Sequence, residues 1–244
     1  MLNLFKFFFR TSKNLNSVSL RFIELKNNSN VEKIFKAIEE YSSEAEVRYV
    51  GGCVRKILNN ENVDDIDFAV NIEPTKIIEA LKNKGINYYE SGIEHGTITA
   101  TIGKEKYELT SLRRDVSTDG RHAKVIFTTD WLKDAQRRDF TINSIYSDIN
   151  GNLFDPFDGK KDLENGIIRF IGDSEKRIEE DYLRILRYFR FFLQYSDKPH
   201  DQQVIKSIKK YINGINHLSK ERIFDELKKI LILNNLYSLF SQSD

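Results

Sequence analysis

The chain has 244 residues, 40% hydrophobic and 31% charged, with 38 Lys and Arg against 37 Asp and Glu. That length suits one moderate domain or two small ones, and the apolar share is enough for a core. The near-zero net charge excludes a uniformly basic coat for nucleic acid but leaves room for a local basic groove. A single cysteine, Cys53, excludes an intramolecular disulfide, and His95, His122, His200 and His217 have no zinc-site spacing. A catalytic metal would therefore rest on carboxylates, which points to Mg²⁺ and phosphate chemistry. No apolar run reaches the roughly 18 residues of a membrane span, so no membrane partner is expected.

Residues 1–23 carry Lys6, Arg10, Lys13 and Arg21, no acid before Glu24, and the cluster Phe7-Phe8-Phe9. This composition resembles an organelle transit segment, and equally a non-catalytic extension of an Asn/Lys-rich sequence. We take residues 1–25 as an N-terminal extension, disordered or targeting. The expected compartment is cytoplasmic, with a mitochondrial one as the alternative.

Apolar residues at Val31, Ile34, Phe35 and Ile38 predict a helix over 31–41. A short strand over 46–50 ends at Gly51-Gly52, and a helix should follow over 52–58. A second strand is predicted over 66–70. Residues 74–84 form a helix with Pro74 in its first turn and Gly85 as its stop. Segments 97–102 and 106–112 flank Gly103 and read as a hairpin. The polar stretch 113–124 reads as a mobile loop. Strand-like segments are expected over 141–148 and 153–155, separated by the turn Asn150-Gly151. From about Asp173 onward strand signals vanish, and helices are predicted over 174–195, 201–212 and 219–233. The chain is thus expected to be bipartite: a mixed α/β head over 26–157, then an all-helical part over 158–244.

Asp65-Ile66-Asp67 opens an apolar run. On a strand, residues i and i+2 share a face. Two carboxylates so placed can hold two divalent ions, one activating a 3′-hydroxyl and one stabilising a leaving pyrophosphate. Two acids in a turn are also what solvent alone explains. Gly51-Gly52-Cys53-Val54-Arg55 ends a strand and opens a helix, a place where backbone amides can approach a phosphate and Arg55 can add a charged fork. It reads equally as an ordinary turn. Glu108 is a third acid, either completing a metal site or partnering an arginine.

Asp181, Arg184, Arg187 and Arg190 recur every three residues and would share one drifting helical face. A carboxylate beside a guanidinium matches the amino donor and ring acceptor of cytosine and adenine, and mismatches uracil and guanine. The same spacing also serves surface ion pairs. Arg137-Arg138-Asp139 is a further cluster, in which two arginines would clamp a triphosphate. Arg113, Arg114, Arg121, His122 and Lys124 would touch RNA phosphates or belong to a moving loop.

Six stretches together resemble the class II tRNA nucleotidyltransferases, the CCA-adding enzymes, and their relatives the bacterial poly(A) polymerases. They are Gly51-Gly52-x-Val54-Arg55, Asp65-Ile66-Asp67, Glu108-Leu109-Thr110, the run from Arg137 to Asn143, Asp181-Tyr182-Leu183-Arg184 with Arg187 and Arg190, and Ser219-Lys220-Glu221-Arg222-Ile223. The resemblance implies an α+β fold: a polymerase-β-like nucleotidyltransferase head with a mixed sheet, followed by an all-helical neck. It implies template-independent addition of CCA to tRNA 3′ ends from CTP and ATP. Alternatives are CC, A or poly(A) addition, or a non-catalytic RNA-binding remnant. It assigns Mg²⁺ to Asp65 and Asp67, and the incoming nucleotide to Gly51, Gly52, Arg55, Arg138, Asp181, Arg184, Arg187 and Arg190. It makes the 113–124 loop, with Arg113, Arg114 and Arg121, the element that helps the change from C to A. Two departures stand out. Lys56 occupies the place of an acid, and the family's body and tail domains have no counterpart after the neck. A second copy of the chain, or a helper, would then assist in holding the tRNA acceptor end.

Overall fold

The structure, a computed structural model, describes residues 17–118 and 123–233. Its strands are β1 (Val47–Val50), β2 (Asp67–Val70), β3 (Asn87–Gly92), β4 (Thr97–Ile102), β5 (Glu105–Ser111), β6 (Arg113–Thr118), β7 (Ala123–Phe127), β8 (Tyr146–Ser147) and β9 (Leu153–Phe154). Seven of them form one mixed sheet in the order β3-β4-β5-β2-β1-β8-β9, while β6 and β7 pair separately as an antiparallel ribbon. Within the large sheet β2 and β5 are parallel and the other pairs antiparallel.

Sequence alternation explains how the sheet faces its core. In β4 Ile98 and Ala100 point inward, and in β5 Tyr107 and Leu109 do, leaving Glu108 exposed between them. Helices α1 (Ser17–Asn28), α2 (Val31–Glu39) and α4 (Pro74–Asn83) bury Phe22, Ile34, Phe35, Ile38, Ile77 and Leu81 in the same core as Tyr49 and Phe68. Between β1 and β2 lies α3 (Gly52–Leu58), bounded as its sequence predicts.

Several elements depart from expectation for physical reasons. Residues 17–25, expected within the extension, belong to α1, whose Phe22 is fully buried. Arg21 of α1 donates to the carbonyls of Ile57 at 3.0 Å and Glu61 at 2.6 Å, closing the end of α3. Residues 1–16, with the Phe cluster, lie outside the described residues. Strand β3 is a polar sheet edge with no apolar alternation to announce it. The expected loop 113–124 contains the ribbon β6–β7, and Arg121 and His122 lie outside the described residues. The expected strand 141–148 is a 3₁₀ turn, Thr141–Asn143, followed by short β8. Its apolar run serves two cores, since Phe140 and Ile142 join the neck while Ile145 joins the head. Two short helices, α5 (Trp131–Gln136) and α6 (Gly159–Glu164), carry no sequence period long enough to read.

The neck comprises α7 (Ser174–Glu180), α8 (Leu183–Tyr195), α9 (Gln202–Tyr211) and α10 (Lys220–Leu231). Asp173, Asp201 and Ser219 cap α7, α9 and α10 with side-chain bonds to orphan N–H groups. The helix expected over 174–195 is broken at Asp181, which is extended at φ −159° and ψ 105°. Ile178, Ile185, Tyr188, Phe191, Phe192, Val204 and Ile208 form the neck core, joined by Phe140 and Phe170, whose tilted rings lie 4.6 Å apart. No helix among the described residues is long and apolar enough to cross a membrane.

Candidate active site

Strand β1 delivers the chain into Gly51 at φ 68° and ψ −120°, a conformation that glycine alone adopts without strain. A Cβ on Gly52 would meet nothing within 4 Å, so the turn stands open. It forms one wall of a pocket of about 460 Å³. Into this pocket the fold brings Gly51, Gly52, Arg55, Asp67 and Arg138 from the head, and Asp181, Arg184, Arg187 and Arg190 from the neck. Arg113, Asp115, Arg137, Asp139, Asn143 and Phe191 complete it. Seven arginines face four aspartates there, so the lining carries more positive than negative side chains.

The predicted acids differ in setting. Asp67 begins β2 and stands in register with Glu108 on the parallel neighbour β5. Burial, then Glu108, raises the Asp67 carboxyl to a pKa of about 6, against the pull of Arg138 and Arg55. Asp65 lies in the loop before β2, exposed, on the rim of a second cleft of about 630 Å³ beside α1. It still acts on Asp67 as a neighbouring negative charge. Among the described residues no group of three or more His, Cys, Asp or Glu side chains forms a ready metal cage. Asp67 is nevertheless a half-buried acid pressed by two others, and hard carboxylate oxygens of this kind suit a divalent cation that keeps several waters.

The arginines are fixed by partners that the sequence spacing does not reveal. Arg55 donates Nε to the Tyr195 hydroxyl at 3.1 Å and Nη1 to Asn143 Oδ1. Arg187 donates to Asp139 Oδ2 at 2.7 Å through Nε and 2.6 Å through Nη2. Burial opposes ionisation of Asp139, but Arg187 and the Asn143 amide outweigh it and hold its carboxyl well below the usual range. Arg190 donates to buried Glu226 of α10 at 2.5 Å and lies 4.1 Å over the Phe191 ring. Arg184 Nη1 donates to Glu180 Oε2 and to the Arg177 carbonyl, each at 2.7 Å.

Asp181 does not share a helical face with these arginines, because it precedes α8. Its Oδ1 accepts from Leu183 N at 3.1 Å and its Oδ2 from Arg222 at 2.8 Å. The Ser219–Ile223 stretch thus reaches the pocket through Arg222. Arg113, expected out on a loop, is a pocket wall, and burial followed by Arg137 lowers its pKa to about 10. Arg114 is exposed on β6 and does not line the pocket. Sequence reasoning missed Asp115 and Phe191 and gave no role to Asp139 and Asn143. Asp139 and Asn143 sit inside the Arg137–Asn143 run, and their signal was adjacency to the arginines they support.

Such a pocket, a Gly-Gly turn and a half-buried acid facing a rank of arginines across two cores, defines a nucleotidyltransferase-type head with its neck. The chain belongs to the family of the poly(A) polymerase head domain, whose model matches residues 47–169. A second family model, described as the probable RNA and SrmB-binding site of polymerase A, matches residues 201–242. The mitochondrial CCA tRNA nucleotidyltransferase 1 of Homo sapiens is 50% identical over 197 residues, covering 80% of this chain and 45% of that protein. The Bacillus stearothermophilus CCA-adding enzyme in complex with CTP superposes with a TM-score of 0.72 at 29% identity, over 81% of this chain and 47% of that one. A tRNA nucleotidyltransferase complexed with a primer tRNA and an incoming ATP analog gives a TM-score of 0.65 at 28% identity, over 86% and 61%. The chain therefore spans less than half the length of the human relative it matches.

Proposed function

We propose that the protein adds CCA to tRNA 3′ ends from CTP and ATP without a nucleic-acid template. The observation that carries this reading is one pocket joining Gly51-Gly52, Asp67 and Arg138 to Asp181, Arg184, Arg187 and Arg190. The relatives' complexes with CTP, and with primer tRNA and an ATP analog, support the substrates.

In this reaction the RNA 3′-hydroxyl oxygen forms a bond to the α-phosphorus, and the bond to the bridging oxygen of pyrophosphate breaks. Asp67, with Asp65 beside it, would hold Mg²⁺, and Glu108 in register with Asp67 adds negative charge there. Bound Mg²⁺ supplies activation of the hydroxyl and neutralisation of the leaving group. The chain's own residues do the rest. Arg138 Nη1 is 3.7 Å from where a Cβ on Gly51 would lie, so a triphosphate seated on the open turn meets a guanidinium. Arg184 is tied down through Nη1, which leaves its other N–H groups to read a base beside Asp181. Asp181 must share or exchange its Arg222 contact to accept from an amino group.

The test is incorporation of CTP and ATP, offered singly and together, into tRNAs lacking the last one, two or three residues. Completion of CCA is expected, and Asp67→Ala should abolish it. A C-only product would reduce the activity to CC addition, and an A-only product to A or poly(A) addition. A protein that binds tRNA yet incorporates nothing with Mg²⁺ would make it an RNA-binding remnant. The human relative's mitochondrial name, with the basic residues 1–23, favours the mitochondrial alternative over the cytoplasmic compartment. Cell fractionation checks this.

A further inference from the structure

Asp134, in α5, is 1% exposed and reaches no ligand-facing surface itself. Four donors converge on its carboxylate. Oδ1 accepts from Arg137 Nε and Nη2, both at 2.8 Å, and from the backbone N–H of Arg113 at 3.3 Å. Oδ2 accepts from Arg138 Nε at 3.3 Å and Nη2 at 3.1 Å, and from the Tyr146 hydroxyl at 2.7 Å. That hydroxyl also accepts from Arg138 Nε at 2.9 Å, and the tyrosine is fully buried on β8. Arg138 thus spends Nε and Nη2 on the carboxylate and phenol. Its Nη1 has one long bond, to the Asn143 carbonyl at 3.5 Å, and faces the Gly51 turn.

We infer that Asp134 and Tyr146 are a positioning pair that sets Arg137 and Arg138 in register for the nucleotide's triphosphate. The inference rests on the proposed nucleotidyl transfer. A guanidinium offers its N–H groups in a rigid fork, so fixing Nε and Nη2 fixes the direction of Nη1. Arg138 is held along the Nε–Nη2 edge of its fork, while Arg137 and the start of β6 are gathered by the other carboxylate oxygen. A buried anion with two cations keeps both from collapsing onto the pocket's aspartates. Without it the arginines remain present but are no longer aimed, which costs triphosphate binding and leaves base and sugar contacts alone.

The test compares CTP with CMP by isothermal titration, using the full chain and the variants Asp134→Asn and Tyr146→Phe, each melted to confirm folding. Asp134→Asn should weaken CTP about ten-fold or more, the worth of one charge-assisted hydrogen bond. Its CMP affinity should be unchanged. Tyr146→Phe should do the same to a smaller degree, and it decides alone if Asp134→Asn does not fold. In incorporation assays the KM for CTP should rise while kcat changes little. Equal loss of CTP and CMP, or unchanged CTP binding, would overturn the positioning role. A wild-type chain that binds no CTP would sink the nucleotide reading and this inference with it.

Discussion

Asp67 is a carboxylate set against its surroundings. Burial and the charges of Glu108 and Asp65 raise its pKa from 3.8 to about 6. A carboxyl whose folded pKa lies above its unfolded one stabilises the fold only while protonated. Its contribution falls as pH rises from 3.8 through about 6 and stays low at neutral pH. Asp67→Asn should therefore raise the stability of the metal-free protein at pH 7, by roughly 1–2 kcal/mol, while abolishing incorporation. Thermal melts in EDTA check the first effect, and added Mg²⁺ should narrow the gap by stabilising only the wild type. A lower melting temperature for the Asn variant in EDTA would refute this account. At this scale residue types were legible and partnerships were not. Arg138, Arg184, Arg187 and Arg190 stand out by type and spacing. Their anchors come from far along the chain: Asp139 lies 48 residues from Arg187, and Glu226 lies 36 from Arg190. Only the tertiary fold makes those pairs, so no local pattern carries them.

Elements were legible wherever one period ran long enough to bury one face. Helix α3 and strand β4 match their expected bounds, and α2 begins where its apolar spacing does. The errors fall where one segment serves two masters. The run from Phe140 to Tyr146 looks like a strand but splits its apolar residues among three clusters. The helix break at Asp181 has no glycine or proline to announce it. It is held instead by Leu183 N and Arg222 on the two carboxylate oxygens. The start of α6 is similarly hidden. Gly159 approaches the 3₁₀ turn so closely that a Cβ would lie 2.1 Å from the Thr141 carbonyl oxygen. Backbone, unlike a flexible side chain, cannot yield cheaply there. Gly159→Ala should cost about 3 kcal/mol. Because that turn leads directly to Asn143, CTP affinity should fall as well. A denaturant midpoint measures the first effect and titration the second; a midpoint equal to the wild type's would refute the close-approach argument.

At the scale of the whole molecule, two cores meet at the pocket, and the neck carries its own acid-sensitive group. His200 stacks 3.7 Å from Phe192, and its Nδ1 lies 3.2 Å from the Tyr188 hydroxyl. Burial lowers its pKa from the ordinary 6.5. A folded pKa below the unfolded one means that the native state binds fewer protons, so the neutral ring's contribution is lost as pH falls through 6.5. Melting temperatures between pH 7.5 and 5.5 should decline less steeply for His200→Gln than for the wild type. Equal slopes would remove His200 as the cause.

The pocket's double ancestry has a thermodynamic consequence. A nucleotide seated as proposed between Gly51-Gly52 and Arg190 would touch parts that fold around different apolar clusters. It would then act as a staple across the seam, and mass action would make its concentration a stabiliser of both halves together. The bargain is reciprocal. An RNA that bound across both halves and was favoured by the nucleotide would tighten the grip on the nucleotide by the same factor.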